Sequence, residues 1–308
     1  MHSPAVTVIV PSYGRPRQVL ACVEALAAQE LREPWEMVIV DDGSPEPLAA
    51  LTERFAGRLD LRVVRQENAG PAAARNRGAA EARGEYIAFT DDDCRPEPAW
   101  LETLLVTARN RPGALVGGTT WNGLPHELFA STSQLIIDLV YERFNANPEQ
   151  AYFLTSNNML ARRDRYLSLT GFDTAFTRAG AEDREFCDRW RCAGWPIVWE
   201  PEARVEHRHS QTLRRFVDLH FRYGRGAYFY HAIRRQRFSG TMHADVGFHM
   251  HLRRLLAPHL AARKRFGERA RLLGALALWQ AANAAGFAAE GVATSLGRRH
   301  RSPLREPA

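Results

Sequence analysis

The chain has 308 residues, 45% hydrophobic and 25% charged, with a net charge of +6. That size and balance suit one large α/β domain with an appendage, or two domains, and exclude collagen, repeat arrays and global disorder. The basic surplus is local: residues 251–308 hold eleven Lys or Arg against Glu268, Glu290 and Glu306, a surplus of eight, so the rest carries −2.

Cys22, Cys94, Cys187 and Cys192 show neither zinc spacing nor a disulfide framework, which fits buried thiols in a reducing cytoplasm. The opening "AVTVIVP" is too short for a signal-peptide core and lacks a preceding basic region, so it reads as a first strand. No stretch has the length and apolarity expected of a membrane span. The nearest, residues 272–289, is alanine-rich and carries Gln280 and Asn283, which predicts an amphipathic helix.

In chain order, "VTVIVPSY" (6–13) is a continuous apolar run ending in a loop, as for a strand buried on both faces. Val19, Leu20, Val23, Leu26 and Ala27 follow at helical spacing. "EMVIVDDGS" (36–44) is a second strand, Leu48, Leu51 and Phe55 mark a helix, and "LRVVRQ" (61–66) is a third strand. "GPAAARNRGAAEARG" (70–84) is an alanine-rich helix closing at Gly84, and "EYIAFTDDD" (85–93) is a fourth strand running into three aspartates. The alternation predicts a mostly parallel, Rossmann-like central sheet flanked by helices. Ligands bind beyond the carboxyl ends of such strands. There the sequence places Ser12-Tyr13, Asp41-Asp42 and Asp91-Asp92-Asp93. Adjacent carboxylates repel and resist desolvation unless a cation compensates them. Neither GxGxxG nor GxxxxGK[ST] occurs, which excludes the usual phosphate loops of dinucleotide folds and P-loop enzymes.

Beyond Pro98, "AWLETLLVTAR" reads as a helix and "ALVGGTTW" (114–121) as a strand meeting a glycine-rich turn. Residues 122–154 are assigned only at "SQLIIDLVYERF", which is helical. Residues 155–173 hold a short strand and a helix. Residues 181–195 form a helix with Phe186, Cys187 and Trp190 on its apolar side, stopped by Gly194. Residues 196–209 are mainly strand, with His207 and His209 on one face, and the chain is helical from 211. "FSGTM" interrupts that helix and sets a boundary near 240.

Together "VIVPSYGR", "VIVDDGS", "NAGPAAARNRG", "IAFTDDDC" and "GFDTAFTRAGAEDREFCDRW" resemble the family 2 glycosyltransferases, inverting enzymes of the GT-A fold. The resemblance covers residues 5–210, and "ARVEHRH" is similar to a later histidine-bearing segment of many members. It implies a GT-A catalytic domain over 1–240, with a nucleotide-binding half of about 1–100 and an acceptor half of about 101–240. A basic helical extension follows over 241–308. By the same resemblance Pro11, Ser12 and Tyr13 line the nucleotide pocket, Asp42 accepts a hydrogen bond from the base, and Arg75 lies near the nucleotide. Asp91 and Asp93 form the DxD element around Asp92, with Asp91, Asp93 and His207 as metal ligands. Asp183 is the expected catalytic base and Glu182 its acceptor-side neighbour. Cys94 departs from the further acid that many relatives carry.

The chemistry suits those residue types. A nucleoside diphosphate leaving group develops charge, which a manganese or magnesium ion stabilises, and hard ions prefer oxygen ligands. Inversion needs a carboxylate base within hydrogen-bond reach of an acceptor hydroxyl. The expected reaction is metal-assisted transfer of a sugar from a nucleoside diphosphate-sugar, uridine by family habit, to a glycan, lipid-linked or small glycolipid acceptor. A nucleotidyltransferase on a related sheet, or an inactive nucleotide- or membrane-binding scaffold, is the alternative. The segment 213–238 interleaves aromatics and arginines, as in a helix packed on the core or one at an anionic membrane surface. The expected location is therefore cytoplasmic, with peripheral contact at the inner face of a membrane. No nucleic-acid module is present, and the ligand edge is acidic, which excludes nucleic acid.

Overall fold

A computed structural model describes residues 3–176 and 180–297, with Ala244 described by its backbone alone. Residues 177–179 of the "GFDTAFTRAG" motif and the tail 298–308 of the expected extension lie outside the described residues. The chain divides into two compact units. One comprises the residues up to Trp121 together with Asn147–Arg208; the other comprises Asn122–Ala146 and the residues from His209 onward.

The first unit is built on an eight-stranded sheet: β1 (Val6–Ser12), β2 (Trp35–Asp41), β3 (Leu61–Arg65), β4 (Tyr86–Phe89), β5 (Cys94–Pro96), β6 (Leu115–Asn122), β7 (Met159–Arg162) and β8 (Ile197–His207). Its order is β3-β2-β1-β4-β7-β6-β8-β5. The strands β3, β2, β1 and β4 run parallel. β7 is antiparallel to β4, β6 to β7, and β5 to β8. Helices α1 (Pro16–Leu26), α2 (Ala50–Arg54) and α3 (Pro71–Glu81) connect the parallel strands, and α4 (Trp100–Asn110) follows β5. The all-apolar character of β1 follows from this arrangement, because Val6, Val8, Ile9 and Val10 are fully buried. α1 and α3 both begin with proline at a first-turn position, where a missing N–H costs nothing.

After α5 (Leu128–Phe144), which belongs to the second unit, come α6 (Arg163–Ser168) and α7 (Glu182–Cys192). Phe186, Cys187 and Trp190 of α7 are buried as the sequence pattern predicts. Phe186 packs against Trp190, Tyr166 and Phe172, and Phe89 of β4 packs against Tyr166 and Phe172. Asn76 of α3 locks this region to the sheet: Oδ1 accepts from Tyr166 Oη at 2.6 Å and from Phe172 N–H at 2.8 Å, and Nδ2 donates to Phe172 C=O at 2.8 Å. Burial pushes the thiols of Cys22, Cys94 and Cys187 up, whereas Cys192, at the end of α7, is exposed.

Three expectations need correction. The glycine-rich turn after "ALV" is absent, because β6 continues through Gly117 and Gly118. Backbone approach is the reason: a Cβ on Gly118 would overlap the carbonyl oxygen of Ala203 in β8. Asn158 completes the junction, donating to Thr119 C=O at 3.1 Å and Ala203 C=O at 2.9 Å and accepting from Trp100 Nε1 at 2.8 Å. β8 ends at His207, so His209 does not share a strand face with it.

The third correction concerns the second unit, which holds α5, α8 (Leu213–Arg237), α9 (His243–Ala261) and α10 (Phe266–Ser295). Among the described residues α10 is one helix long and apolar enough to cross a membrane, by length and composition. The core of this unit joins Leu135, Ile136 and Leu139 to Phe216, Phe248, Leu256, Leu272, Leu276 and Trp279. The interruption at "FSGTM" is the link between α8 and α9.

Gly118→Ala is expected to lower the stability of the chain by about 1–3 kcal/mol through overpacking at the β6–β8 junction. Thermal unfolding followed by circular dichroism reads that loss, and an unchanged melting temperature would contradict the close approach.

Candidate active site

The sheet's chemistry sits where β1 and β4 end. Ser12 closes β1, pairs in register with Asp41 of β2, and donates from Oγ to Asp92 Oδ2 at 2.7 Å. The three aspartates occupy the link from β4 to β5, a turn closed by the Cys94 N–H donating to Asp91 C=O at 3.0 Å. β5 is only three residues long, yet it decides the site, because its ladder with β8 sets Cys94 opposite His207. His207 Nε2 thereby lies 3.2 Å from Asp93 Oδ1. The Arg208 N–H donates to Asp93 C=O at 2.9 Å and pins the same corner.

Each aspartate meets a different partner. Asp91 Oδ1 accepts from Arg75 Nη2 at 2.7 Å. Asp92 accepts from Ser12 and, at 2.9 Å, from Arg15 Nη1, which also reaches Asp93 Oδ2 at 3.1 Å. Burial pushes the Asp92 carboxyl up to about 7 against the pull of Arg15. For His207, burial favours the neutral ring, but the Asp93 carboxylate outweighs it and holds the imidazole above its usual range. Asp93, Cys94 and His207 form the one group among the described residues whose donor atoms could hold a metal ion, lying within 4.8 Å of one another. Asp91 stands outside that group, engaged with Arg75. Asp93 oxygen and His207 nitrogen fit a manganese or magnesium ion, whereas the Cys94 thiol, held protonated by burial, does not.

Arg75 extends the site to α7. Its side chain is 4% exposed, pairs with Asp91 and lies 3.5 Å from Glu182 Oε1. The guanidinium also lies over the Phe172 ring, 5.6 Å from its centroid. Its Nε and Nη1 make no hydrogen bond among the described residues. Glu182 opens α7 and accepts from the Gly180 N–H at 2.7 Å; Asp183 beside it is half-buried and accepts from the Arg184 N–H at 2.8 Å. Burial first, and the Glu182 charge second, push the Asp183 carboxyl up to about 7. A helix N-terminus would favour the ionised form, so desolvation wins here.

The remaining candidates line the same edge. Pro11 is partly buried, and Tyr13, 52% exposed, projects past the end of β1. Asp42 is buried and accepts from Gln66 Nε2 at 2.7 Å and from the Ala69 and Gly70 N–H groups, both at 2.9 Å, which ties it to the start of α3. Asp41 is held by the Ser44 N–H at 2.8 Å and Arg65 Nη1 at 2.6 Å, a turn-shaping role. Arg15 is the residue that motif reading missed. It sits in the quoted "PSYGR", and its one visible signal is a cation three residues beyond a strand end.

A sheet with acids and arginines gathered beyond the carboxyl ends of its parallel strands is the arrangement of an α/β ligand-binding enzyme. Residues 7–168, more than half the chain, match the family described as glycosyl transferase family 2. The chain is 32% identical over 231 residues to the glucosyl-dolichyl phosphate glucuronosyltransferase of Haloferax volcanii, covering 70% of this chain and 73% of that protein. It is 28% identical over 228 residues to the pre-mycofactocin glycosyltransferase of Mycobacterium tuberculosis, covering 72% of this chain but 46% of that protein. Its fold is similar to the mannosyltransferase PcManGT of Pyrobaculum calidifontis, solved with GDP-Man and Mn2+: TM-score 0.64, 20% identity, 97% of this chain and 89% of that one. TarS 1-349 of S. aureus, solved with UDP-GlcNAc, has a TM-score of 0.51 at 15% identity, over 96% of this chain and 93% of that one. The chain belongs to glycosyl transferase family 2 and is a glycosyltransferase.

Arg75→Met leaves Glu182 buried beside no cation and is expected to cost about 3–5 kcal/mol in urea unfolding. Arg15→Met should cost less, since the guanidinium is 45% exposed and Asp92 can take up a proton. Equal costs would argue against Arg75 as the central tie.

Proposed function

We propose that the enzyme moves a sugar from a nucleoside diphosphate-sugar to a hydroxyl in one displacement with inversion. The observation that carries this reading is Arg75: buried, and ion-paired through Nη2 to the strand-end Asp91 and through Nη1 to Glu182 of the acid pair of α7. It places a fixed positive charge between the aspartate-rich turn and the carboxyl best suited to take a proton.

In this reading Pro11, Ser12 and Tyr13 line the nucleotide pocket and Asp42 accepts from the base, through lone pairs its three donors leave open. Asp91, Asp92 and Arg75 complete the donor site. Asp93 and His207 would hold a manganese or magnesium ion, with Asp91 close to the same diphosphate. When bound, the ion supplies positive charge to the departing diphosphate. Asp183 takes the proton of the acceptor hydroxyl at a carboxylate oxygen as the new glycosidic bond forms, and Glu182 orients that hydroxyl. The division of labour follows the sequence: about 1–100 for nucleotide, about 101–240 for acceptor, and 241–308 as a basic helical extension.

The donor is a UDP-sugar in this proposal, and the UDP-GlcNAc held by TarS supports that chemistry while the GDP-Man of PcManGT is the competing one. The relative named for a glucosyl-dolichyl phosphate supports a lipid-linked acceptor. The enzyme then works on the cytoplasmic side, at the inner face of a membrane.

The test pairs two substitutions. Asp93→Ala is expected to abolish metal-supported thermal stabilisation by nucleotide-sugars, and Asp183→Asn to keep that stabilisation while lowering kcat by about 10²–10⁴-fold. Near-native turnover by the Asn variant would overturn the base assignment. The base must be ionised, so kcat/KM should fall about tenfold per pH unit below the Asp183 pKa of about 7 and level off above it. A profile flat from pH 5 to 8 would speak against it.

A further inference from the structure

The helix α10 is turned inside out for a surface helix in water. From Leu273 to Val292 every exposed position is Leu, Ala, Gly or Val; Gln280 and Asn283 are half-buried and Glu290 is buried. The polar residues of the same stretch meet neighbouring helices. Gln280 donates to His249 Nδ1 at 3.1 Å, and buried Glu290 accepts from Arg225 Nε of α8 at 2.7 Å. Asn283 offers its backbone carbonyl at the place where Gly224 lets α8 approach. The larger outward groups are substantially bare: Leu273 is 47% exposed, Leu278 41%, Val292 58% and Leu296 69%. A continuous apolar face of this length, roughly 30 Å at the helical rise, is unusual on a surface bathed only by water.

The first end of the face is basic. Arg263, Lys264, Arg265, Arg269 and Arg271 lie there against the single Glu268. Phe266, 85% exposed, sits at the same end.

We propose that the outward face of α10 docks the enzyme on an anionic lipid bilayer, its apolar strip in the acyl boundary and its basic first end among the headgroups. The inference rests on the peripheral location proposed above and names the surface that achieves it. Two physical points support it. Anionic headgroups complement the positive charge that Arg263, Lys264, Arg265, Arg269 and Arg271 set at the start of the strip. Spanning is also disfavoured: the inward face packs on α8 and α5, with Leu272, Leu276 and Trp279 in a shared core and Glu290 paired to Arg225. Hydrocarbon on all sides would strip those contacts away.

The test uses the full chain and sedimentation with vesicles of phosphatidylcholine alone or with about 30% phosphatidylglycerol. The expected result is co-sedimentation with the anionic vesicles, weakened by salt. Ala281→Glu with Ala285→Glu should lower the partition coefficient by about tenfold or more, since both carboxylates would enter the apolar boundary. Arg263→Ala, Lys264→Ala and Arg265→Ala together should weaken anionic binding alone. Thermal stabilisation by UDP-GlcNAc with Mn2+ is measured on every variant, so a folding defect is recognised. Absence of that stabilisation in the parent chain would sink the UDP-sugar donor without touching this inference, and circular dichroism then reports the folding of each variant. Failure of the parent chain to sediment, or unchanged sedimentation of the double Glu variant, overturns the proposal. So does a vesicle-free dimer, seen by light scattering, that the double Glu variant dissociates.

Discussion

The site depends on one buried cation. Arg75 is sequestered from water, and a guanidinium there is tolerable only because Asp91 lies on one side and Glu182 on the other. The two acids come from distant parts of the chain, the end of β4 and the start of α7. Their shared demand for positive charge fixes the helix to the sheet edge. Asn76, the next residue of α3, locks Phe172 in the segment leading to α7. One turn of an alanine-rich helix therefore sets both the electrostatics and the geometry of the acid pair.

Around that tie, three neighbouring aspartates avoid mutual repulsion by division. Asp91 answers Arg75. Asp92 turns inward to Ser12 and Arg15 and is drawn toward its neutral form by burial. Asp93 is left with His207 and part of Arg15. The arrangement spreads a charge density that no single counter-ion could offset, and it leaves one carboxylate and one imidazole with the donor chemistry of a divalent ion. A ladder of three residue pairs between β5 and β8 is enough to create that pairing.

Much of this was legible in the sequence because burial on both faces leaves continuous apolar runs, as in β1, β2 and β4, while the edge strand β3 keeps only Val63 and Val64 between two arginines. The strand ends were legible for the same reason, since polar residues mark where the runs stop. β5 left no such trace: "CRP" is too short for a period, and only its pairing with β8 makes it a strand. Gly117 and Gly118 misled because glycine signals a turn locally, whereas here it permits two backbones to touch. Arg15 and the inward Asp92 were opaque, since which way a charged side chain turns is decided by partners far away in sequence. In α10 composition suggested an amphipathic helix, but the sense of its two faces depends on Arg225 and on the close approach of α8, neither of which a window of α10 contains.

The four thiols differ in a way that has a practical side. Cys22, Cys94 and Cys187 are buried and held protonated, while Cys192 stands exposed at the far end of the helix that begins with Glu182 and Asp183. A maleimide probe added to the unmodified enzyme would therefore attach at a single address, three turns from the acid pair. A fluorophore there would report on the helix that carries Glu182 and Asp183 without disturbing the buried thiols.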